Sequence, residues 1–433
     1  MDPRSLRPHY RAFLRDDRVL LTGHSHQAWP DVARAAQLEA FDDAAAHVDH
    51  KWGKAFEAAD AVRAAVASRI DCAPGEVALG ASTHELVTRF LSALPLRTRP
   101  RLVTTGGEFH TIHRQLSRLA EEGIEVVWVT PDPVGTLAER LADALDDRTA
   151  AVLVSSVLFE TSSVVPHLAE LAARARARAV AMLVDAYHAF AVLPFTVREL
   201  SGLEGGGDVF VTAGGYKYAQ WGEGNCFLRV PPSFEGRPVY TGWFSDFAHL
   251  SAPRDGRAVG YGTRPCDRFA GSTYDPTSHY RARAVARFFD ERGLDLATLR
   301  AISLRQTARL VAGLEGLDVV TPRDERRGGF VSVRVAEASR GVRARGARRH
   351  DRRARRDAAA GPGAVRDGRR DRSRRRDPPR RAQPTMTWAT SLKAPLWTHS
   401  PNTCSGLATA STRLSRGSAS NVGSDHTRPS SGR

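Results

Sequence analysis

The chain has 433 residues, 42% of them hydrophobic, enough to bury a full core in two or three structural units. Its formal net charge of +15 invites a nucleic-acid reading, but the charge is confined to one end. From Ala338 to Arg433 there are 23 Lys+Arg against 6 Asp+Glu, a net of +17; the 40 basic and 42 acidic residues before Ala338 leave a body of −2. Four widely spaced cysteines (Cys72, Cys226, Cys266, Cys404) form no C-x-x-C pair, so neither a metal site nor a disulfide framework is read, and reduced thiols in a cytoplasmic protein are expected. Met1 to Arg18 is charged and lacks the apolar centre of a signal peptide, and no apolar run reaches the roughly 18–20 residues that span a bilayer, so no membrane partner is expected.

Short Val- and Leu-rich runs recur along the body: Val77–Leu79, Leu102–Thr104, Val126–Val129, Ala151–Val154, Met182–Val184, Val209–Val211 and Cys226–Val230. Most lack polar alternation, as expected of strands covered on both faces. Between them lie helix-like stretches rich in Ala, Leu, Arg and Glu: Asp60–Arg69, His84–Leu94, Thr111–Glu122, Leu137–Leu145 and Leu168–Arg178. The alternation predicts an α/β domain with a mostly parallel seven-stranded sheet flanked by helices, and ligands then belong at the C-terminal strand ends. Ser278–Leu317 reads as helical, and Val319–Thr321 and Phe330–Val335 as strands of a smaller α+β domain. The expected division is an N-terminal segment 1–50, a large domain 51–265, a partial small domain 266–337, and an Arg-rich tail 338–433 too polar to order itself.

Four features carry chemistry. Before Ala338 the chain has only three lysines, Lys51, Lys54 and Lys217, against 37 arginines. Arginine cannot form an imine, and Lys217 stands among aromatics in Gly214-Gly215-Tyr216-Lys217-Tyr218, just after a strand; a surface-loop lysine is the equal alternative. Asp185 ends the strand Met182–Val184, where a carboxylate can face a cofactor's pyridinium nitrogen or simply cap a helix. Ser82 and Thr83 open an apolar helix and can offer donors to a phosphate, though Ser82 with Glu85 also fits a capping box. Phe109, in Gly106-Gly107-Glu108-Phe109, can stack on a flat ring or pack in the core. In chain order these are a phosphate loop, a stacking aromatic, a ring-nitrogen acid and a lysine, each after a strand.

From about Leu21 to Val335 the sequence resembles the kynureninases among the class V aminotransferases, of the large pyridoxal-phosphate fold type I. Tyr216-Lys217 is similar to the family's Tyr-Lys pair, Asp185-Ala186-Tyr187-His188 to its strand-end Asp with Ala-His, Gly242-Trp243-Phe244 to its Gly-Trp-Phe, and Arg268-Phe269-Ala270-Gly271-Ser272-Thr273 to its Arg-Phe-x-x-Gly-Thr. Ser155 to Thr161 is similar to its Ser-x-Val-x-Tyr-x-Thr, with Phe159 for Tyr. The sequence departs at His24-Ser25, where the family has Asn-Ser, and at Ile112, where it has Asp. The resemblance implies pyridoxal 5'-phosphate as cofactor, Lys217 as its Schiff-base lysine and α-proton base, Asp185 on the ring nitrogen, and Tyr216 as phosphate contact and proton relay. It assigns Ser82, Thr83, Phe109, His188, Trp243 and Thr273 to the cofactor as well, Thr273 reaching that of a partner subunit. The implied reaction is hydrolysis of a Cβ–Cγ bond in kynurenine or a related amino acid, as in tryptophan breakdown, by a cytoplasmic homodimer.

The family's carboxylate-binding arginine lies in a stretch resembling Arg-Leu-Gly-Pro-Ala-Pro, which this chain lacks. Codons possible for His350 to Arg366, read one base later, permit such a stretch, so the tail is read as an out-of-frame translation. Two other functions are weighed: another class V enzyme, such as an aminotransferase or a desulfurase, the latter discounted because its late-loop cysteine would have to be Cys404 in the polar tail, and a nucleic-acid binder using the tail. The tail interleaves few aromatics with its arginines, so nucleic acid is not the expected partner; a small-molecule amino-acid substrate is.

Overall fold

Seven strands form one sheet because their side chains divide between two apolar layers. In β4 (Thr149–Ser155), Ala151 and Leu153 enter one core cluster and Val152 and Val154 the other; in β5 (Ala181–Asp185) and β6 (Val209–Gly214), Leu183 and Phe210 join the first while Met182, Val184, Val209 and Val211 join the second. Alternate residues point to opposite faces, so apolar side chains at every position require helices on both sides. The computed structural model describes residues 2–17, 19–251, 258–334 and the backbone of 385–389.

The remaining strands are β1 (Val77–Gly80), β2 (Arg101–Thr105), β3 (Glu125–Val129) and β7 (Cys226–Arg229), and the order across the sheet is β1-β7-β6-β5-β4-β2-β3. Strands β2 to β6 run parallel; β7 is antiparallel to both neighbours, a reversal that apolar runs alone could not disclose. The helices are α1 (Val32–His47), α2 (Trp52–Ile70), α3 (Thr83–Ser92), α4 (His110–Glu121), α5 (Leu137–Asp143), α6 (Leu168–Ala177), α7 (Val197–Ser201), α8 (Thr277–Glu291) and α9 (Leu296–Ala312). Helix α1 falls in the N-terminal segment, to which the sequence assigned no element; it buries only Ala33, Ala36, Ala40 and Asp43, so it shows no stripe of large apolar residues. Helix α8, expected in the small domain, packs along α1 and α2.

Strand β7 also carries a clamp. Arg229 is wholly buried, its guanidinium donating to Glu76 Oε2 at 2.7 Å and to the carbonyls of Gly205, Gly206, Gly207 and Val209. Nε meets the carboxylate, Nη1 has three carbonyls to share its two hydrogens and Nη2 has one, so all three nitrogens are hydrogen-bonded, as a buried cation requires.

A second sheet joins β8 (Asp318–Val319), β9 (Phe330–Arg334) and β10 (Thr385–Ala389), with β9 in the middle. Strand β10 corrects the expectation of an unstructured tail at that stretch: its backbone pairs antiparallel with β9 from Thr385↔Arg334 to Ala389↔Phe330, offering ladder partners that β9 would otherwise lack on that side. The rest of the tail, including the stretch read as out of frame and Cys404, lies outside the described residues. Among the described residues no helix is long and apolar enough to cross a membrane.

Candidate active site

The sheet topology brings five loops to one edge, those after β1, β2, β4, β5 and β6. Residues Ser155 and Asp185 end β4 and β5 side by side in register, and Asp185 pairs with Thr212 of β6. Because β7 is reversed, its first residue, Cys226, lies at the same edge, between Gly80 of β1 and Gly214 of β6. The loop opening α3 and the loop carrying Lys217 therefore flank Cys226. They enclose a pocket lined by residues that include Ser82, Thr83, Phe109, Asp185, His188, Tyr216 and Lys217.

Glycine at 214 and 215 is required by crowding. A Cβ on Gly214 would lie 2.2 Å from Tyr187 Oη, and one on Gly215 would lie 2.5 Å from the Trp221 ring. With both positions bare, the chain turns tightly enough to bury Lys217, which is only 4% exposed. Its Nζ lies 2.7 Å from His188 Nε2 and 4.9, 5.5 and 5.8 Å from the ring centroids of Tyr187, Phe109 and Tyr216. The surface-loop alternative is thereby removed. Burial pushes the Lys217 amine down to about 7, against the opposing pull of Asp185 and Cys226. Burial, then the charge of Lys217, keeps His188 well below the usual histidine range, so its ring is neutral and shares one hydrogen with the lysine across the Nζ–Nε2 contact. That Nδ1 is buried without a partner.

Asp185 is buried, and its Oδ1 accepts the Tyr187 backbone N–H at 2.8 Å. Burial raises its carboxyl above the ordinary range, while the Tyr187 N–H and the Lys217 charge pull the other way. Its side chain both caps the local turn and lines the pocket. At the opposite wall Ser82 is the N-cap of α3, its Oγ accepting the Glu85 N–H at 3.3 Å, so that hydroxyl already serves the helix. Thr83 Oγ1 is buried beside the Cys226 thiol and has no oxygen or nitrogen partner. The capping-box alternative is half realised, since the Glu85 carboxylate accepts from Ala81 N–H rather than from Ser82. Phe109 is 37% exposed, with Phe159 meeting it edge-on at 5.5 Å. Tyr216 stacks on His26, and burial pushes its hydroxyl up to about 12, so it stays protonated.

Trp243 and Thr273 are not brought to this pocket in one chain. Trp243 is 46% exposed on a shelf with Phe244 and Phe247, and Thr273 is exposed nearby. Conversely, sequence reasoning did not single out Tyr187, Cys226, Glu223 or Thr111, all of which line the pocket. Tyr187 stood inside the quoted Asp185–His188 run, but nothing in its spacing shows that its ring meets Tyr216 at 5.0 Å. His24, noted only as a departure, proves electrostatically coupled to Lys217 and His188; burial, then Lys217, then His26, brings it down to about 4.

A neutral amine captures an aldehyde and an ammonium does not. Uptake of an aldehyde at Lys217 is therefore expected to rise with pH around a midpoint of about 7, rather than near the ordinary lysine value of 10.5. Stopped-flow absorbance across pH 5–10 measures it; a midpoint above ~9 contradicts the desolvated lysine.

A sequence model of the aminotransferase class V family matches residues 27–216. The kynureninase of Xanthomonas oryzae pv. oryzae is 28% identical over 355 residues, covering 74% of this chain and 79% of the relative. The kynureninase of Xanthomonas euvesicatoria pv. vesicatoria is 28% identical over 359 residues, covering 76% and 81%. Among solved structures, a complex of the cystine C–S lyase C-DES with cysteine persulfide superposes with a TM-score of 0.63 at 18% identity, covering 74% of this chain and 84% of that one. An apo cysteine desulfurase from Thermococcus onnurineus gives 0.63 at 20% identity, covering 78% and 83%. These structural likenesses are of fold.

The pocket suits the cofactor of that family on its own chemistry. A flat, phosphorylated pyridine aldehyde needs a ring face, an acid for its nitrogen, donors for its phosphate and an unprotonated amine. Phe109, Asp185, the buried Thr83 Oγ1 with the α3 N-terminus, and Lys217 meet those needs in one cleft. The sequence matches support a kynureninase-like protein of the class V aminotransferase kind, with pyridoxal 5'-phosphate as its cofactor.

Proposed function

We propose that the chain is a hydrolase that cleaves the Cβ–Cγ bond of kynurenine or a related amino acid, giving alanine and an aromatic acid. The observation that carries this reading is the buried Lys217 amine, 2.7 Å from a neutral His188 in a cleft it shares with Asp185. The kynureninase relatives support the choice of bond.

Thr83 and the N–H groups opening α3 would hold the phosphate, Phe109 the ring face and Asp185 the ring nitrogen. When bound, pyridoxal phosphate supplies an electron sink for charge left at the substrate's α-carbon. Lys217, whose amine burial brings down to about 7, takes the α-proton, and His188 Nε2 orients it through the hydrogen bond at 2.7 Å. Tyr216, protonated throughout the physiological range, donates a proton where negative charge gathers. Phe159, Val157 and Ile112 make an apolar wall for an aromatic side chain.

A C–S lyase or desulfurase is the second reading, favoured by the structural neighbours. It needs a reactive thiolate, and the described cysteines do not supply one. Burial raises the thiols of Cys226, of Cys72 to about 12 and of Cys266 to about 11. Incubation of the cofactor-loaded protein with kynurenine and, separately, with cysteine decides between them. Alanine and an aromatic acid from kynurenine support the hydrolase; sulfide from cysteine without cleavage of kynurenine sinks it.

Among the described residues no arginine lines the pocket. The out-of-frame reading of the tail would place the carboxylate-binding arginine in the alternative frame of His350 to Arg366. The coding DNA tests it: codons for His350 to Arg366 that cannot encode the Leu-Gly-Pro stretch one base later exclude it.

The aromatic shelf bearing Trp243, with Phe247 at 48% and Tyr240 at 61% exposure, fits a homodimer in which Thr273 faces the neighbouring site. Light scattering at micromolar concentration is expected to give twice the chain mass, and Phe247→Arg about the single mass. A wild-type monomer contradicts the dimer.

A further inference from the structure

Glu108 takes no part in the chemistry above, yet it is an enclosed carboxyl, 2% exposed, one residue behind the pocket wall. The other buried acids have cations: Asp43 pairs with Lys54 at 2.5 Å, Glu76 with Arg229 at 2.7 Å, and Asp185 shares its cleft with Lys217. No basic group pairs with Glu108 among the described residues. Its two hydrogen bonds both go to Ser155: the backbone N–H donates to Oε1 at 2.8 Å, and the Ser155 hydroxyl meets Oε2 at 2.7 Å. Ser155 lines the pocket beside its register partner Asp185. A buried carboxyl with no cation resists ionisation, more so with a second acid on the next strand. Burial first, then Asp185, push the Glu108 carboxyl up to about 8, against the two Ser155 bonds. The groups that face it are Ser155 from β4 and Asp185 from β5, with Lys217 beyond acting on Asp185.

The single hydroxyl hydrogen of Ser155 can point only one way. If the Glu108 carboxyl holds a proton, it donates to Ser155 Oγ, and the hydroxyl hydrogen is free to be given to the pocket. If that proton is lost, the hydroxyl must donate back to Oε2, and Ser155 presents only lone pairs. We propose that Glu108 is a positioning residue acting through Ser155, its proton deciding whether the pocket wall beside Asp185 offers a hydrogen-bond donor or only an acceptor. The consequence for a bound cofactor rests on the pyridoxal-phosphate reading; the hydroxyl switch itself belongs to the protein alone.

The test begins with cofactor-free protein. Infrared difference spectra between pH 6 and pH 10 should show a protonated-carboxyl band that bleaches with a midpoint of about 8 in the wild type. The band should be missing in Glu108→Gln and moved in frequency in Ser155→Ala, whose hydroxyl partner is gone. A linked stability effect has a fixed sign. The folded state keeps a proton that the unfolded state loses above about 4.5, so stability falls as pH rises from about 4.5 to about 8, and Glu108→Gln flattens that slope. In cofactor-loaded protein, the absorbance-against-pH curve should lose a step near 8 in both variants, and Glu108→Asp should restore part of it. Absence of the carboxyl band in the wild type, or identical bands in wild type and Glu108→Gln, overturns the proposal. Failure of the wild type to bind pyridoxal phosphate would sink the cofactor reading while the infrared result still decides the switch.

Discussion

Lys217→Ala is expected to abolish the visible absorbance band of bound pyridoxal phosphate and to cut turnover by about 10⁴-fold, the upper end of what one acid–base group contributes. The size follows from the lysine's two roles, holding the aldehyde and moving the α-proton. Lys51 and Lys54 cannot substitute: Lys54 is paired with Asp43, Lys51 lies over Trp52, and neither lines the pocket. The variant should fold, since the substitution removes an amine whose charging burial already disfavours. Unchanged thermal melting with lost absorbance separates a chemical role from a structural one. Retained absorbance and activity would remove Lys217 from the mechanism.

Asp185→Asn should be the second largest loss, roughly 10²–10³-fold in turnover, comparable to removing one preorganised electrostatic partner. The carboxamide keeps an oxygen that can accept the Tyr187 N–H, so the turn after β5 survives. It cannot hold a positive ring nitrogen, so the electron sink weakens while cofactor binding persists. The absence of a negative neighbour should also lower the Lys217 amine further, because Asp185 is the largest influence holding it up. The midpoint for aldehyde uptake therefore moves below about 7, and a fall in affinity without these changes would mark Asp185 as merely structural.

Much of the sheet was legible because its strands are buried on both faces and leave unbroken apolar runs, as in Ala151–Val154. The reversal of β7 was not, since antiparallel and parallel buried strands present the same composition. Helix α1 escaped because its buried face is alanine, too small to stand out against its surroundings. Asp185 and Lys217 were legible as polar residues placed just after strands, and the pocket joins them. The Glu108–Ser155 pairing was not, because it depends on a loop after β2 folding back against the end of β4, 47 residues away. Trp243 and Thr273 were read through resemblance, and a single chain leaves both on its surface. The strand Thr385–Ala389 was missed because the composition of the tail outweighed a five-residue stretch with β-forming Thr and Trp.

The most direct measurement is borohydride reduction of the pyridoxal-phosphate-loaded protein, followed by peptide mass mapping. One phosphopyridoxyl group fixed on Lys217, and none in Lys217→Ala, is the result this account requires. A label on Lys51 or Lys54, or no label under conditions where the cofactor is bound, contradicts it.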